Sequence, residues 1–271
     1  MPADRQVQLA YSEIQSKMLV EAERRKKAGK ILRVLTHFLG TADLAGRTVV
    51  DLGCSTGFIT HELHLAGAAV TGVDIDEPGL ERARRRFGEE VAFRRAYGED
   101  LPWPDASVDA VVFSHIYEHV VDPDAVLAEI RRVLRPGGVA YLGLGNRLGI
   151  VEPHHRLPFL SWLPPAAADR YVAATGRADR YHERFRTRAG LKRLCRGLRV
   201  WDYTYTVLAE PVRFAADDLV APRLAAAPPA LWTLLTPVIP TFVWVGTPGT
   251  DAPRGARTRV APKPVDGVPA G

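Results

Sequence analysis

The stretch from Val49 to Thr60 constrains the fold more than any other part of the chain. A short β-branched run ends in Asp51, a turn with Gly53 and Gly57 follows, and an amphipathic segment begins after the turn. This order predicts a buried strand, a tight loop and a helix N-terminus. Glycine has no Cβ and accepts positive φ, so such a turn lets the backbone approach a ligand. The unpaired N–H groups of the helix N-terminus would point at that ligand.

The spacing of the glycines narrows the class of ligand. A dinucleotide site typically carries G-x-G-x-x-G after the strand, whereas these glycines stand as G-x-x-x-G behind the carboxylate of Asp51. That carboxylate would repel a pyrophosphate but suits a ligand with an ammonium or sulfonium group. An NAD-dependent oxidoreductase is therefore disfavoured, and a P-loop is excluded because no Gly-Lys-Ser/Thr follows.

A second apolar strand ends in an acidic residue, Asp74, about twenty residues further on, where doubly wound folds bind ribose hydroxyls. With this strand the chain resembles the class I S-adenosylmethionine-dependent methyltransferases, in the group called type 11. The matching segments keep the order and spacing of that family and cover residues 50–57, 72–76, 99–105, 108–120 and 127–138.

The resemblance and the alternation of strands and helices imply the same architecture. We expect an α/β fold with a Rossmann-like, doubly wound sheet of about seven strands, mostly parallel with the last antiparallel, and helices on both faces. The resemblance further implies S-adenosylmethionine as cofactor and in-line O-methylation of a small-molecule or lipid-like acceptor. A C- or N-methyltransferase of the same fold and a non-catalytic S-adenosylmethionine-binding module remain alternatives.

The residues expected at the methionine end of the cofactor share the turn after the first strand: Asp51, Gly53, Cys54, Ser55 and Gly57. Cys54 and Ser55 would contribute through their backbone. Relatives often have glycine at the position of Ser55, and a role as helix N-cap would make serine tolerable there. The backbone of Ser114 and His115 would border the amino group.

At the other end of the cofactor, Asp74 would bind the ribose hydroxyls and Ile75 would pack on the adenine. Gly98 would offer its backbone N–H to the adenine ring. Relatives commonly have an aspartate before this segment, where the present chain has Tyr97. Glu99 or Tyr97 would then take over the contact with the adenine amine.

Four histidines are candidates for the base that O-methylation requires. His115 and His119 follow the fourth predicted strand, near Tyr117 and Glu118, and His119 would more often be structural. The other two are adjacent residues of an insertion, where an exposed loop is an equal alternative; they are His154 and His155. No metal is predicted, because these histidines lack a recognisable spacing with carboxylates.

The chain divides into five predicted segments. These are an N-terminal helical cap over 1–44, the cofactor-binding core over 45–146, an acceptor-binding lid over 147–186, the completion of the sheet over 187–247, and a disordered tail over 248–271. The completion includes a strand predicted at Val200–Leu208 and an antiparallel strand at Phe242–Gly246.

The amino-acid composition excludes few classes of function. The net charge is +5, and the basic cluster from Arg24 to Lys30 is interpreted as a solvated helix face. Without aromatic residues interleaved among the basic ones, nucleic-acid binding is not expected. The most apolar late stretch, Ala230–Val245, is shorter than the roughly twenty residues of a spanning helix. We therefore expect a cytoplasmic protein without stable membrane insertion, and we leave a homodimer open.

Overall fold

The computed structural model describes residue 9, residues 11–14 and residues 19–268 of the chain. The predicted N-terminal cap of residues 1–44 is therefore described only in part. Its described portion consists of one short helix, α1 (Tyr11–Ile14), and one long helix, α2 (Glu21–Leu39). Gly40 ends α2 in the left-handed conformation with φ 68°, as glycine commonly does at a helix C-terminus.

The described strands form one sheet of eight in the order β3-β2-β1-β4-β5-β7-β6-β8. The five strands from β3 to β5 are parallel neighbours, whereas β7 runs antiparallel to β5, and β6 pairs antiparallel with β7 and β8. The predicted Rossmann-like sheet with an antiparallel end is confirmed. The strand bounds are β1 Thr48–Leu52, β2 Ala69–Asp74, β3 Ala92–Arg95, β4 Val108–Ser114, β5 Leu134–Gly145, β6 Arg199–Asp202, β7 Thr241–Thr247 and β8 Lys263–Pro264.

Helices cover both faces of the sheet. Two of them begin at aspartate caps: Asp76 accepts a hydrogen bond from the N–H of Gly79, and Asp122 accepts one from Ala125. Proline follows Asp122 directly and follows Asp76 after one glutamate. Proline is common in the first turn of a helix. The helices that follow α2 are α3 Phe58–Leu65, α4 Glu77–Phe87 and α5 Pro123–Val133, of which α4 and α5 have these aspartate caps, and then α6 Pro165–Ala174, α7 Arg188–Leu194, α8 Thr204–Ala209, α9 Pro222–Ala225 and α10 Pro229–Leu235.

Two apolar layers hold these helices on the sheet, one on each face. Along β4, Val111 and Phe113 point into the layer shared with α5 and α7, while Ala110 and Val112 point into the layer shared with α2 and α3. Every residue of β4 is buried, as expected for a central parallel strand covered on both sides. This rigid core fixes the positions of the strand ends, where the candidate site lies.

The predicted strand at Val200–Leu208 is wrong in its second half. Strand β6 ends at Asp202, whose carboxylate accepts the N–H of Thr204 at 2.9 Å. An aspartate that bonds its own backbone two residues on favours a turn. The chain therefore leaves the sheet and continues as α8, which packs beside β7.

The prediction of a disordered tail over 248–271 is wrong for the residues described. Strand β8 pairs with β6 through Trp201 and Asp202. Two valines of this segment are almost fully buried, Val260 at 7% exposure and Val265 at 5%. The N–H of Arg254 also donates to the carbonyl of Phe38 at 2.9 Å. Scattered apolar residues and backbone pairing, rather than a periodic pattern, attach this segment to the domain.

The insertion over 147–186 has a small apolar core of its own. It contains a 3-10 helix at Leu160–Trp162 and helix α6, which pack together around Leu160 and Val172. The late apolar stretch is divided among α10, a 3-10 helix at Thr236–Val238 and β7. Across the described ranges, the model has no helix with both the length and the apolarity needed to cross a bilayer.

Candidate active site

The ends of β1 and β2 bring the two predicted carboxylates to one edge of the sheet. The strands are parallel neighbours, with Asp51 opposite Gly72 and Leu52 opposite Val73. Just past β1, the N–H of Gly53 donates to the carbonyl of Val73 at 2.8 Å. Asp51 therefore lies at the end of its strand beside Asp74, the last residue of β2.

The carboxylate of Asp51 is nearly closed off from water. Its residue is 2% exposed, and its Oδ2 accepts a hydrogen bond from the hydroxyl of Thr60 on α3 at 2.7 Å. Burial raises its pKa, while the bond from Thr60 and the nearby charges of Arg24 and Lys27 oppose that rise. A buried anion beside cations suits a zwitterionic ligand end.

Backbone N–H groups hold the carboxylate of Asp74. One oxygen accepts from Ser55 at 2.7 Å, and the other accepts from Ile75 at 2.7 Å and Asp76 at 3.0 Å. Burial raises the pKa of Asp74 to about 6 despite these bonds. The bond from Ser55 ties the glycine turn to the end of β2, so the two predicted ends of the cofactor site share one hydrogen-bonded frame.

The turn after β1 requires its glycines. Gly53 and Gly57 both have φ 79°, and a Cβ at Gly53 would press against the side chain of Ile116. Ser55 also has a positive φ, 48°. Its predicted role as helix N-cap is wrong, because α3 begins at Phe58 with Gly57 as its cap. The serine hydroxyl is buried and has no hydrogen-bond partner in the part of the chain that the structure describes.

The other residues of this turn and of the adenine end lie along the same edge. Cys54 is 1% exposed, and its N–H donates to Val73 at 3.1 Å. The loop that carries Gly98 and Glu99 starts beside Asp74, since the N–H of Ala96 donates to the carbonyl of Asp74 at 3.2 Å. This placement fits the predicted adenine contacts of Ile75, Gly98 and either Tyr97 or Glu99, which stay predictions.

Two cations of α2 reach this edge and were missed from the sequence. The Nζ of Lys27 donates to the carbonyl of Ser114 at 3.4 Å. Burial and the neighbouring charge of Arg24 lower the pKa of Lys27 to about 7. The Nε of Arg24 is buried and has no hydrogen-bond partner within the described ranges. Burial lowers the pKa of Arg24, although the charge of Asp51 raises it.

The solvated-face interpretation of this cluster is therefore wrong for Arg24 and Lys27. It holds better for Arg25, which pairs with Glu21 and Glu62 at the half-exposed side of α2. The helical spacing of the sequence already indicates that Arg24 and Lys27 face inward. Arg24 and Lys27 stand three residues apart on the same stripe that continues into the buried apolar residues Ala28, Ile31, Val34, Leu35 and Phe38.

The loop after β4 places one histidine against a buried carboxylate. His115 has a positive φ of 58°, and its N–H donates to Gly143 at 2.8 Å. Its Nδ1 lies 3.3 Å from Oε1 of Glu118, which is 1% exposed. Burial lowers the pKa of His115 to about 4. Burial would raise the pKa of Glu118, but the hydrogen bond from His115 and the nearby histidines lower it to about 2.

The insertion brings a second group of histidines to the same place. The Nε2 atoms of His119 and His154 are 3.2 Å apart, and Tyr11 reaches His119 Nε2 at 3.3 Å. The Nδ1 of His154 lies 2.8 Å from Oε1 of Glu152. Burial lowers the pKa of His119 to about 4. Three segments that are distant in the sequence thus meet at the strand edge.

His155 takes a different direction from His154. It is 8% exposed, and its Nε2 lies 3.3 Å from Oε2 of Glu183. The alternative of an exposed histidine loop is therefore wrong for both residues. Tyr117 is held as a structural residue, since its hydroxyl donates to Gly145 at 2.5 Å and accepts from the N–H of Arg186 at 3.0 Å.

Comparisons with known proteins find methyltransferases. Residues 50–142 match a family model described as a methyltransferase domain. A ubiquinone biosynthesis O-methyltransferase from Aromatoleum aromaticum is 36% identical over 110 residues, which are 39% of this chain and 47% of the relative. A demethylmenaquinone methyltransferase from Tropheryma whipplei is 34% identical over 153 residues, which are 55% of this chain and 59% of the relative.

A solved structure shares the fold across most of the chain. It is the complex between the Haloferax volcanii Trm112 methyltransferase activator and a methyltransferase, of which one chain matches with a TM-score of 0.51 and 21% identity. The match covers 85% of the present chain and 96% of that chain. The present chain spans about half the length of the curated relatives it matches.

Proposed function

We infer that residues 50–142, which match a model of a methyltransferase domain, belong to the class I S-adenosylmethionine-dependent methyltransferases, and from this premise we propose that the chain transfers a methyl group from S-adenosylmethionine to a small-molecule acceptor. The acceptor is a hydroxylated, quinone-type or lipid-like compound, and the methyl group goes to its oxygen. The relatives named for ubiquinone and menaquinone compounds support the acceptor class.

One observation carries the proposal: Asp51 and Asp74 end neighbouring parallel strands on either side of a glycine turn. Asp51 faces the positively charged methionine end of the cofactor. Asp74 accepts hydrogen bonds from the ribose hydroxyls, and its three backbone N–H partners hold the carboxylate in place for that task. Such preorganisation lowers the entropic cost of binding.

The two inward cations of α2 complete the methionine end. The α-amino group of the cofactor pairs with a carboxylate, and its α-carboxylate needs a cation. Two side chains meet that need: Arg24, whose buried Nε has no partner in the described part of the chain, and Lys27, beside the carbonyl of Ser114. A carboxylate bound there would favour the charged form of Lys27 and raise its pKa again.

The transfer itself makes few demands on the protein. The acceptor oxygen attacks the methyl carbon, the bond from that carbon to sulfur breaks, and S-adenosylhomocysteine leaves. The enzyme must hold the oxygen in line, roughly 3 Å away, and exclude water. The acceptor proton passes to a histidine. His115 and His119 are suited to accept it, because their lowered pKa values keep them neutral at physiological pH.

His154 and His155 divide between two roles. His154 contacts His119 and lies on the acceptor side of the site, where the insertion over 147–186 acts as the lid. His155 holds Glu183 within the insertion and positions the lid. C- and N-methylation on the same fold remain alternatives, and the nature of the methylated atom in the product distinguishes them.

The test uses the full chain with labelled S-adenosylmethionine and a panel of catechols and hydroxylated quinone precursors. We expect label in an ether product that mass spectrometry identifies as O-methylated. Titration calorimetry with S-adenosylhomocysteine accompanies the assay. Cofactor binding without transfer to any phenol, amine or activated carbon would favour a non-catalytic binding module, and no binding at all would refute the proposal.

A further inference from the structure

The histidines at the strand edge are arranged as metal ligands. His154 Nε2 lies 3.2 Å from His119 Nε2 and 3.8 Å from Glu118 Oε1, and that same oxygen lies 3.3 Å from His115 Nδ1. Two ligand atoms bound to one tetrahedral zinc ion at 2.0–2.1 Å lie roughly 3.3 Å apart. The potential ligand atoms of His115, Glu118 and His154 all lie within 4.8 Å of one another, as do those of His119, His154 and Glu183.

A second observation points to a ligand at this place. Glu118 is 1% exposed, yet its Oε2 is buried without any hydrogen-bond partner among the residues that the structure describes. A buried carboxylate oxygen left without a partner is costly. A metal ion next to Glu118 would satisfy that oxygen.

The surroundings of His154 fit the way proteins support metal-binding histidines. Its Nδ1 faces Glu152 Oε1 at 2.8 Å, and Glu152 also accepts the backbone N–H groups of His154 and His155. A carboxylate that binds Nδ1–H orients the ring and leaves the Nε2 lone pair for a metal. The Nε2 of His154 lies 3.2 Å from His119 Nε2 and 3.8 Å from Glu118 Oε1, and donation of Nδ1–H to Glu152 would give the tautomer that coordination requires.

The buried charge of the cluster also favours a cation. Three carboxylates face these histidines, and they are almost fully buried: Glu118 at 1%, Glu152 at 1% and Glu183 at 7% exposure. Buried carboxylates need positive partners. Protonated histidines can supply that charge, but a divalent ion supplies it without protonating the rings that would bind it.

We propose that the chain binds one divalent transition-metal ion, with His119 Nε2, His154 Nε2 and Glu183 as ligands, whose ligand atoms lie within 4.8 Å of one another, and with His115 and Glu118 adjacent to the ion. Nitrogen and oxygen ligands of this kind suit zinc, and also iron, cobalt and nickel. The sequence shows no such pattern, because the ligands come from the loop after β4 and from the insertion, 35 residues apart.

An ion at this position would have a chemical role if the proposed function holds. A hydroxyl bound to a divalent ion loses its proton more readily. The neighbouring His115 would then receive the acceptor proton while the ion holds the acceptor oxygen. The metal site itself is argued from the cluster alone, so it can be tested apart from methyl transfer.

The test measures zinc binding by the full chain after treatment with a chelator and dialysis. We expect one equivalent of bound zinc by elemental analysis and calorimetry, and a visible absorption band when Co²⁺ replaces it. The variant His154→Ala should weaken zinc binding by about tenfold or more, and the double variant His119→Ala/His154→Ala should abolish it. The matched control is His64→Ala, at the last turn of α3 and outside the cluster.

A second measurement guards against a variant that does not fold. Added zinc should raise the melting temperature of the wild type and of His64→Ala, because a ligand that binds only the native state stabilises it. The more conservative Glu183→Gln variant keeps the size of the side chain and should lose most of that rise. Wild-type protein that binds no zinc, or a double variant that binds it as the wild type does, would overturn the proposal.

The two proposals fail in different ways. Binding of S-adenosylhomocysteine without zinc binding overturns the metal site and leaves the proposed function standing. Zinc binding without binding of S-adenosylhomocysteine supports the metal site and contradicts the proposed function.

Discussion

Replacement of Asp74 tests the cofactor site and separates binding from folding. The carboxylate accepts three backbone N–H groups, from Ser55, Ile75 and Asp76. Asp74→Ala would remove both oxygens that accept these three hydrogen bonds, so the loss of stability should be about 1–3 kcal/mol. From the sequence alone, an alanine at this strand end would be expected to leave the fold intact, and the structure argues against that expectation.

Asp74→Asn is the sharper variant, because an amide keeps one oxygen. That oxygen can retain the bonds from Ile75 and Asp76, whereas the amide NH₂ faces the N–H of Ser55, where an acceptor is needed. We expect a loss of stability near 1 kcal/mol. Removal of a charged acceptor for the ribose hydroxyls costs about 1.5–3 kcal/mol of binding, which is a roughly 10- to 150-fold rise in Kd.

The assay is titration calorimetry with S-adenosylhomocysteine, with urea denaturation of the same preparations. Asp217→Asn is the matched control, because Asp217 is exposed and pairs only with Lys26 at 3.3 Å in the described part of the chain. Its Kd should equal that of the wild type. A folded Asp74→Asn protein with wild-type affinity would refute the placement of the ribose at the end of β2.

Four further outcomes follow from the same contacts. Affinity for S-adenosylhomocysteine should fall as pH drops through about 6, because Asp74 then takes up a proton, and Asp74→Asn should lose this dependence in calorimetry. Lys27→Met should weaken binding of S-adenosylhomocysteine by about tenfold, while adenosine, which lacks the carboxylate, should bind as to the wild type. Gly53→Ala should unfold at lower urea than Gly137→Ala, since both glycines have φ near 79° but only the former is packed against an isoleucine side chain. Val265→Asp should lower the melting temperature, because this valine is 5% exposed. An unchanged melting temperature would support the original prediction that the tail is disordered.

The pH prediction for Asp74 has a definite sign for stability as well. The pKa of the carboxyl is raised from 3.8 to about 6 in the folded chain. The native state therefore binds more protons than the unfolded state between these values, and this group stabilises the fold less as pH rises through that window. Stability of the wild type relative to Asp74→Asn should decrease from pH 4 to 6, whereas cofactor affinity should increase.

The parts of the fold that depend on local patterns were predictable. Strand β2 ends at Asp74, as predicted, and Asp76 caps the helix that follows. The two strand-end carboxylates were predictable for the same reason, because parallel strands end at a common edge. The errors at β6 and in the tail arose where a single side-chain bond or backbone pairing decided the path, which periodicity does not record.

The histidine cluster could not be assembled from the sequence, because its contacts are long-range. Tyr11 and His119 are 108 residues apart, and His155 and Glu183 are 28 apart. The sequence shows four separate candidates for one base, and their spacing does not indicate a set of metal ligands. In the folded chain, buried carboxylates give His115, His154 and His155 a different partner each, which is information that only the tertiary structure holds.

The two groups of charges at the strand edge impose an order on the site. On the side of α2, Arg24 and Lys27 offer positive charge near Asp51. On the side of the insertion lie the buried carboxyl groups of Glu118, Glu152 and Glu183. A zwitterionic methionine end matches the first side, whereas a cation or a proton matches the second. These charges therefore favour binding of the cofactor beside α2 and deprotonation of the acceptor beside the histidines. The methyl group would be transferred between them, where His115 adjoins both Ser114 and Glu118.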